Sequence, residues 1–250
     1  MPRDIQDILH FRSDISPFLV HLTRDGDGVD NSSAKAKLER IIRDRKLIPG
    51  EREISDVRFG GTTSNMSAPD RKKYFGAVCF TETPLNEVHC LLEINGRGID
   101  LSPYGLVFVK EALRKKGVCP VCYINNERKD MDGVFKALFS LTDSLPDDAA
   151  KLLPLFAVFG QKIQAPGVPT RPEGTIDFVW EREWRYPSVC GDLAFSDADV
   201  FVGLCPHDEI NDFEGRFPGI GFIDPQRNMK WYATKLIGAR QRFGLKFSVV

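Results

Sequence analysis

Residues 178–187, FVWEREWRYP, interleave two glutamates, two arginines and two tryptophans. Tryptophan is large and charged side chains resist burial, so the alternation calls for a reason. The segment reads as the end of a long strand, TIDFVWEREWRYP, in which side chains alternate between two faces. Phe178, Trp180, Arg182 and Trp184 then share one face, and Val179, Glu181, Glu183 and Arg185 the other. The aromatic face is expected on the core. The opposite face carries two carboxylates and a guanidinium in a row. Like charges two residues apart repel unless a cation or a ligand lies between them, and Arg185 supplies part of that charge. Two readings stay open: a solvent-facing ladder of ion pairs, or a carboxylate pair that works on a bound substrate.

Three further stretches hold residues that could do chemistry. VHLT puts His21 and Thr23 on one face of a short strand, where a lone histidine in apolar surroundings reads first as a satisfied core residue. VCFTETPL puts Phe80 and Glu82 on one face and Cys79, Thr81 and Thr83 on the other, ending at Pro84. Cys119-Pro-Val-Cys122 has the spacing of half a zinc site, but a structural zinc takes four ligands. Cys190, Cys205 and His207 fit no finger spacing, so these cysteines read as structural. Asp25, Asp27 and Asp30 read as a solvated loop, at most a weak cation site. Phosphate-binding glycine loops, zinc-protease and serine-hydrolase signatures are all missing.

These residues sit in a chain of 250 residues, 42% hydrophobic and 28% charged, which suits a soluble folded domain with an ordinary core. The absence of any run of 18 apolar residues argues against a membrane-spanning helix. The charged start, MPRDIQDILHFRSDI, lacks an apolar signal core, so the expectation is cytosolic, with six reduced cysteines. Net charge is −1, yet no acid follows Asp224, while Arg227, Lys230, Lys235, Arg240, Arg242 and Lys246 do. That segment reads either as a solvated basic edge or as a seat for a phosphate-bearing ligand.

The elements follow from periodicity and punctuation. Strands are expected at 18–23, 77–83, 104–109, 119–124, 175–187 and 199–205, and around 218–223 and 229–237. Helices are expected at 34–46, capped by Ser32 or Ser33, at 85–93, at 110–116 with Gly117 as its stop, at 131–141 and at 147–159. Residues 60–73 and 160–175 read as loops. Strands and helices mix without regular alternation, which favours one α+β domain over 1–250, with mixed or antiparallel central sheets and flanking helices. Its last part, 199–250, is expected to be basic and strand-rich.

In order along the chain, HLT (21–23), LERIIRDRKLIPG (38–50), VCFTETPL (78–85), YGLVFVKEALRKKGVCPVCYI (104–124) and EREWRYP (181–187) resemble the AbiGi-type abortive-infection, or phage-resistance, family. The resemblance covers residues 18–187. CPVC departs from it, since cysteines are no hallmark of that strand. More distantly, the layout is similar to ADP-ribosyltransferases of the DarT and PARP-like kind. That resemblance implies an ADP-ribosyltransferase-like fold, with NAD as substrate and no metal. It puts His21 and Thr23 at an NAD-binding first strand, and Phe80 and Thr81 near the nicotinamide. Tyr104 would be a further stacking ring and Arg185 a pyrophosphate partner. Glu183 would be the catalytic glutamate, with Glu181 two residues before it. A carboxylate held beside the ribose would stabilise the oxocarbenium charge that develops as the nicotinamide bond breaks. The acceptor would be nucleic acid or protein. The rival implication is a non-catalytic antitoxin or sensor that binds a cognate partner, since the AbiGi group is regarded as the antitoxin-like member of a pair.

Overall fold

FLVHL forms the central strand β1 (Phe18–Leu22), its first three residues buried. A short, continuous apolar run suits a strand covered on both faces. In this computed structural model β1 is flanked by β4 (Gly105–Val109), in register from Phe18 opposite Val109 to Leu22 opposite Gly105, and by β3 (Ala77–Thr81). The structure describes residues 15–26, 31–50, 66–94, 100–124, 132–158, 161–162, 175–176 and 178–244.

The remaining strands are β2 (Lys46–Leu47), β5 (Cys119–Pro120), β6 (Cys122–Ile124), β7 (Phe156–Val158), β8 (Gln161–Lys162), β9 (Thr175–Ile176), β10 (Glu183–Pro187), β11 (Leu193–Ala194), β12 (Val200–Leu204) and β13 (Phe222–Ile223). Seven of the thirteen strands among the described residues make one sheet in the order β13-β12-β4-β1-β3-β10-β5. Its neighbours are antiparallel except β12 and β13, which run parallel. Three two-stranded pairs, β2–β11, β6–β7 and β8–β9, lie outside it. The chain is therefore α+β with a mixed, mostly antiparallel sheet and flanking helices.

Helix α1 (Ala34–Asp44) begins where two side chains meet its orphan amides. Ser33 Oγ accepts from Ala36 N and Asp25 Oδ1 from Ala34 N. Leu38 and Ile42 are buried on one face, and Arg45 ends the helix at φ 53°. The other helices are α2 (Ala68–Phe75), α3 (Val88–Leu92), α4 (Lys110–Lys115), α5 (Asp132–Ser144), α6 (Pro146–Leu152), α7 (Ile210–Arg216) and α8 (Ala233–Arg242). The principal core joins Leu38 and Ile42 to Leu19, Phe80, Leu106, Phe108 and Phe201 of the sheet. A smaller cluster holds Tyr74, Phe75, Ala149, Ala150 and Leu153.

Several boundaries differ from expectation, each for a local reason. The loop expected at 60–73 gives way to α2 from Ala68, because Ser67 accepts from Asp70 N and Pro69 pre-sets the first turn; residues 60–65 lie outside the described residues. The helix expected over 147–159 stops at Leu152, and Pro154 sits in a 3-10 turn, Leu153–Leu155, before β7. CPVCYI is two strands, the first paired with β10 and the second with β7. Among its described residues, the C-terminal segment is not strand-rich. Residues 229–237 form a 3-10 turn, capped by Asn228, that runs into α8, and α7 lies between β12 and β13. None of the six cysteines is in a disulfide. No helix among the described residues is long and apolar enough to cross a membrane.

Candidate functional site

The long strand expected at 175–187 is interrupted. Phe178–Glu181 is a 3-10 turn, closed by Arg182 N donating to Val179 O at 3.0 Å, and Arg182 takes a left-handed φ of 47°. The span holds two separate strands, β9 (Thr175–Ile176), which pairs with β8, and β10 (Glu183–Pro187) in the main sheet. Glu181 is therefore not in line with Glu183. Its backbone carbonyl accepts from Thr81 Oγ1 at 2.5 Å, and Thr81 Oγ1 in turn lies 2.7 Å from Thr83 Oγ1. The aromatic face is not uniformly on the core either, since Trp180 is 43% exposed.

Within β10 the charged face is the buried one. Glu183 is 7% exposed and Arg185 is fully buried. Arg185 Nε donates to Glu183 Oε1 at 2.9 Å and Nη2 to Oε2 at 2.7 Å, a two-point pair on one strand face. Its Nη1 donates to the carbonyls of Pro154 at 2.7 Å and Phe156 at 3.3 Å. These carbonyls follow α6, whose C-terminal end favours a cation. This overturns the solvent-facing ladder: the 3-10 turn after α6 covers that face, and it and the first residue of β7 supply the acceptors. Burial alone would favour a neutral guanidine, but the Glu183 carboxylate outweighs it and raises the Arg185 pKa, so the side chain stays charged.

Register shows which expected residues share a face. Val20, Thr81 and Glu183 stand side by side across β1, β3 and β10, and Trp184 stands opposite Phe80. Directly opposed residues share a face, so Thr81, Glu183 and Arg185 lie on one side and Phe80 and Trp184 on the other. His21 belongs with Phe80, their ring centroids 5.7 Å apart. His21 and Glu183 therefore point to opposite sides of the sheet.

His21 Nδ1 donates to Cys79 O at 2.8 Å, which leaves Nε2 as the acceptor nitrogen of the neutral ring. Burial lowers its pKa, only partly opposed by that hydrogen bond. An unfolded histidine takes up its proton near pH 6.5. Below that pH the unfolded chain binds more protons than the folded one, so stability falls as pH drops through this window. Acidification from about pH 7.5 to about pH 5.5 is expected to lower the urea midpoint more in the wild type than in His21→Gln. Equal losses would show that His21 is not the group responsible.

Thr23 Oγ1 lies 2.9 Å from Ala34 O and 3.1 Å from Tyr104 O, tying the end of β1 to the start of α1. Tyr104 donates its hydroxyl to Glu209 Oε1 at 3.1 Å, and its ring packs towards Phe213. Burial, then Glu209, raises its pKa well above the usual range. The eight expected site residues thus fall into three neighbourhoods: His21 and Phe80; Thr81, Glu183 and Arg185, with Glu181 beside them through its backbone; and Thr23 with Tyr104.

One residue gains importance from the geometry. Glu82, at the end of β3, is 7% exposed and joins Lys110, Arg182 and Trp184. Its Oε1 accepts from Lys110 Nζ at 2.9 Å and lies 3.5 Å from Arg182 Nη2; its Oε2 accepts from Trp184 Nε1 at 2.7 Å. Through Trp184 it belongs to the side of the sheet that carries Phe80 and His21. Its sequence signal is the alternation with Phe80 in FTE, which the more prominent acid pair of EREW outshines.

Two of the basic C-terminal side chains, Arg242 and Lys235, are tied into the fold. Arg242 donates to the carbonyls of Val200, Phe201 and Gly219, and Lys235 to Glu214 and Phe222 O. They line a cavity of about 290 Å³ between α8 and the β12–β13 edge that none of the eight expected residues reaches. Lys246 lies outside the described residues, as do Asp27 and Asp30. Among the described residues, the one set of His, Cys and acidic side chains close enough to share an ion is Glu87, His89 and Cys90, without Cys119 or Cys122. No protein-family model matches the chain, and neither a curated protein nor a solved structure gives a significant match.

Proposed function

We propose that the chain is the non-catalytic member of an abortive-infection pair, an antitoxin or sensor that binds a cognate protein. The abortive-infection part rests on the resemblance of residues 18–187. The non-catalytic part is supported by one observation: both oxygens of Glu183 are held by a fully buried Arg185 on the side of the sheet opposite His21. A catalytic carboxylate acts by stabilising charge that grows in the transition state. A carboxylate already neutralised by two hydrogen bonds from an arginine has little left to offer a ribose. The test is co-expression with the product of the adjacent gene. A complex that survives gel filtration supports the reading, and two independently eluting proteins count against it.

A second reading is favoured by Glu82. If the chain transfers ADP-ribose from NAD to a nucleic-acid or protein acceptor, Glu82 is the carboxylate on the His21 and Phe80 side. Glu82→Gln then abolishes transfer, while a folded variant with the Glu183–Arg185 pair replaced by Leu and Met retains it. Loss in both variants, or in neither, removes support for this second reading.

A further inference from the structure

Pro84 ends the extended part of VCFTETPL, and the chain turns at once into a 3-10 turn, Leu85–Glu87, and then α3. Val88 and Leu91 are buried and anchor this turn. Its outer side carries three potential ligands within four residues. Cys90 Sγ lies 3.5 Å from His89 Nε2 and 3.8 Å from Glu87 Oε2, and the three ligand atoms all fall within 4.8 Å of one another. In tetrahedral zinc coordination, Zn–S of about 2.3 Å and Zn–N of about 2.0 Å put sulfur and nitrogen about 3.5 Å apart. The turn thus already holds a thiol and an imidazole at the spacing of one edge of such a site. Asn86 Nδ2 donates to Glu87 Oε1 at 2.7 Å, which holds the carboxylate with Oε2 towards the thiol.

We infer that Glu87, His89 and Cys90 form a surface site for a zinc-like transition metal, with the fourth position open to water or to a ligand from a partner protein. The donor set is one sulfur, one nitrogen and one oxygen, which suits zinc or cobalt and not magnesium or calcium. On binding, the Cys90 thiol loses its proton to solvent and its sulfur forms the metal bond; no electron is transferred. Because the thiol gives up its proton on binding, binding strengthens as pH rises. This departs from the expectation of a metal-free protein. It stands independently of the proposed function.

The test is titration of the reduced, metal-free full-length chain with Co²⁺, read by thiolate-to-cobalt charge-transfer absorption and by displacement with Zn²⁺. The expected result is one bound equivalent. Cys90→Ser removes the band, while His89→Gln and Glu87→Gln weaken binding roughly tenfold or more. Asn86→Ala, which only orients Glu87, weakens it by about tenfold. Zn²⁺ also raises the melting temperature of the wild type but not of Cys90→Ser. These side chains sit on the outer side of the turn, and circular dichroism checks that each variant is folded. No charge-transfer band, or a band that survives Cys90→Ser and disappears in a Cys119→Ser, Cys122→Ser double variant, overturns the site.

Discussion

Arg185→Met is expected to destabilise the chain by about 3–5 kcal/mol, the cost of leaving a buried charge without its partner. The substitution strands the Glu183 carboxylate at 7% exposure and removes the donor from the carbonyls of Pro154 and Phe156. It also unlinks β10 from the turn after α6, where the smaller core cluster sits. Replacing both members together, Glu183→Leu with Arg185→Met, is expected to recover most of that loss, because a well-packed apolar pair of similar volume often matches a buried ion pair. The check is a double-mutant cycle by urea unfolding. Additive losses would mean that the two side chains do not act as a unit. The cycle also prepares any activity measurement: a Glu183 variant that has unfolded says nothing about catalysis.

Glu82→Ala is expected to cost about 2–3 kcal/mol, since it leaves the Lys110 ammonium and the Trp184 indole N–H largely buried without their acceptor. Lys110 also lies over the Trp184 ring, 5.9 Å from its centroid, so the indole retains part of its attraction for the ammonium when the carboxylate is gone. Glu82→Gln keeps an acceptor for the indole and is expected to lose less. If Glu82→Ala and Glu82→Gln unfold alike, the side-chain oxygen facing Trp184 contributes nothing.

Short-range order accounts for what the sequence made legible. FLVHL, AVCFT and YGLVFV are apolar runs of strand length, and each forms a central strand. α1 is amphipathic and opens with a capping serine, and Gly117 sits past α4 at φ 98°, a conformation that favours glycine. What escaped depends on contacts distant in sequence. Alternating acids and bases look the same whether a strand's charged face meets water or protein. Only the arrival of Pro154 and Phe156, some thirty residues earlier in the chain, makes Arg185 a buried tie. The break at Arg182 was hidden because a non-glycine residue at positive φ carries no sequence mark. In the C-terminal part, the apolar residues of MKWYATKLI fit either period, and the Asn228 cap that starts the turn was the unused signal for a helix.

The site was legible in its parts and not in its grouping. His21, Phe80 and Glu183 each read as strand residues, with no mark in the sequence that their strands adjoin; the sheet sets β1, β3 and β10 side by side. The side on which each one points depends on the register of β1, β3 and β10, and a shift of one residue reverses it. Glu82 and the Glu87–His89–Cys90 turn emerged only when that register was known.

The most direct test of the account is nicotinamide release from NAD by the purified wild-type chain, with and without the product of the adjacent gene, alongside a folded variant carrying Glu183→Leu and Arg185→Met. The account predicts no release above a protein-free control in any sample. Release by the wild type that is lost in the folded variant would contradict it and restore Glu183 as a catalytic residue.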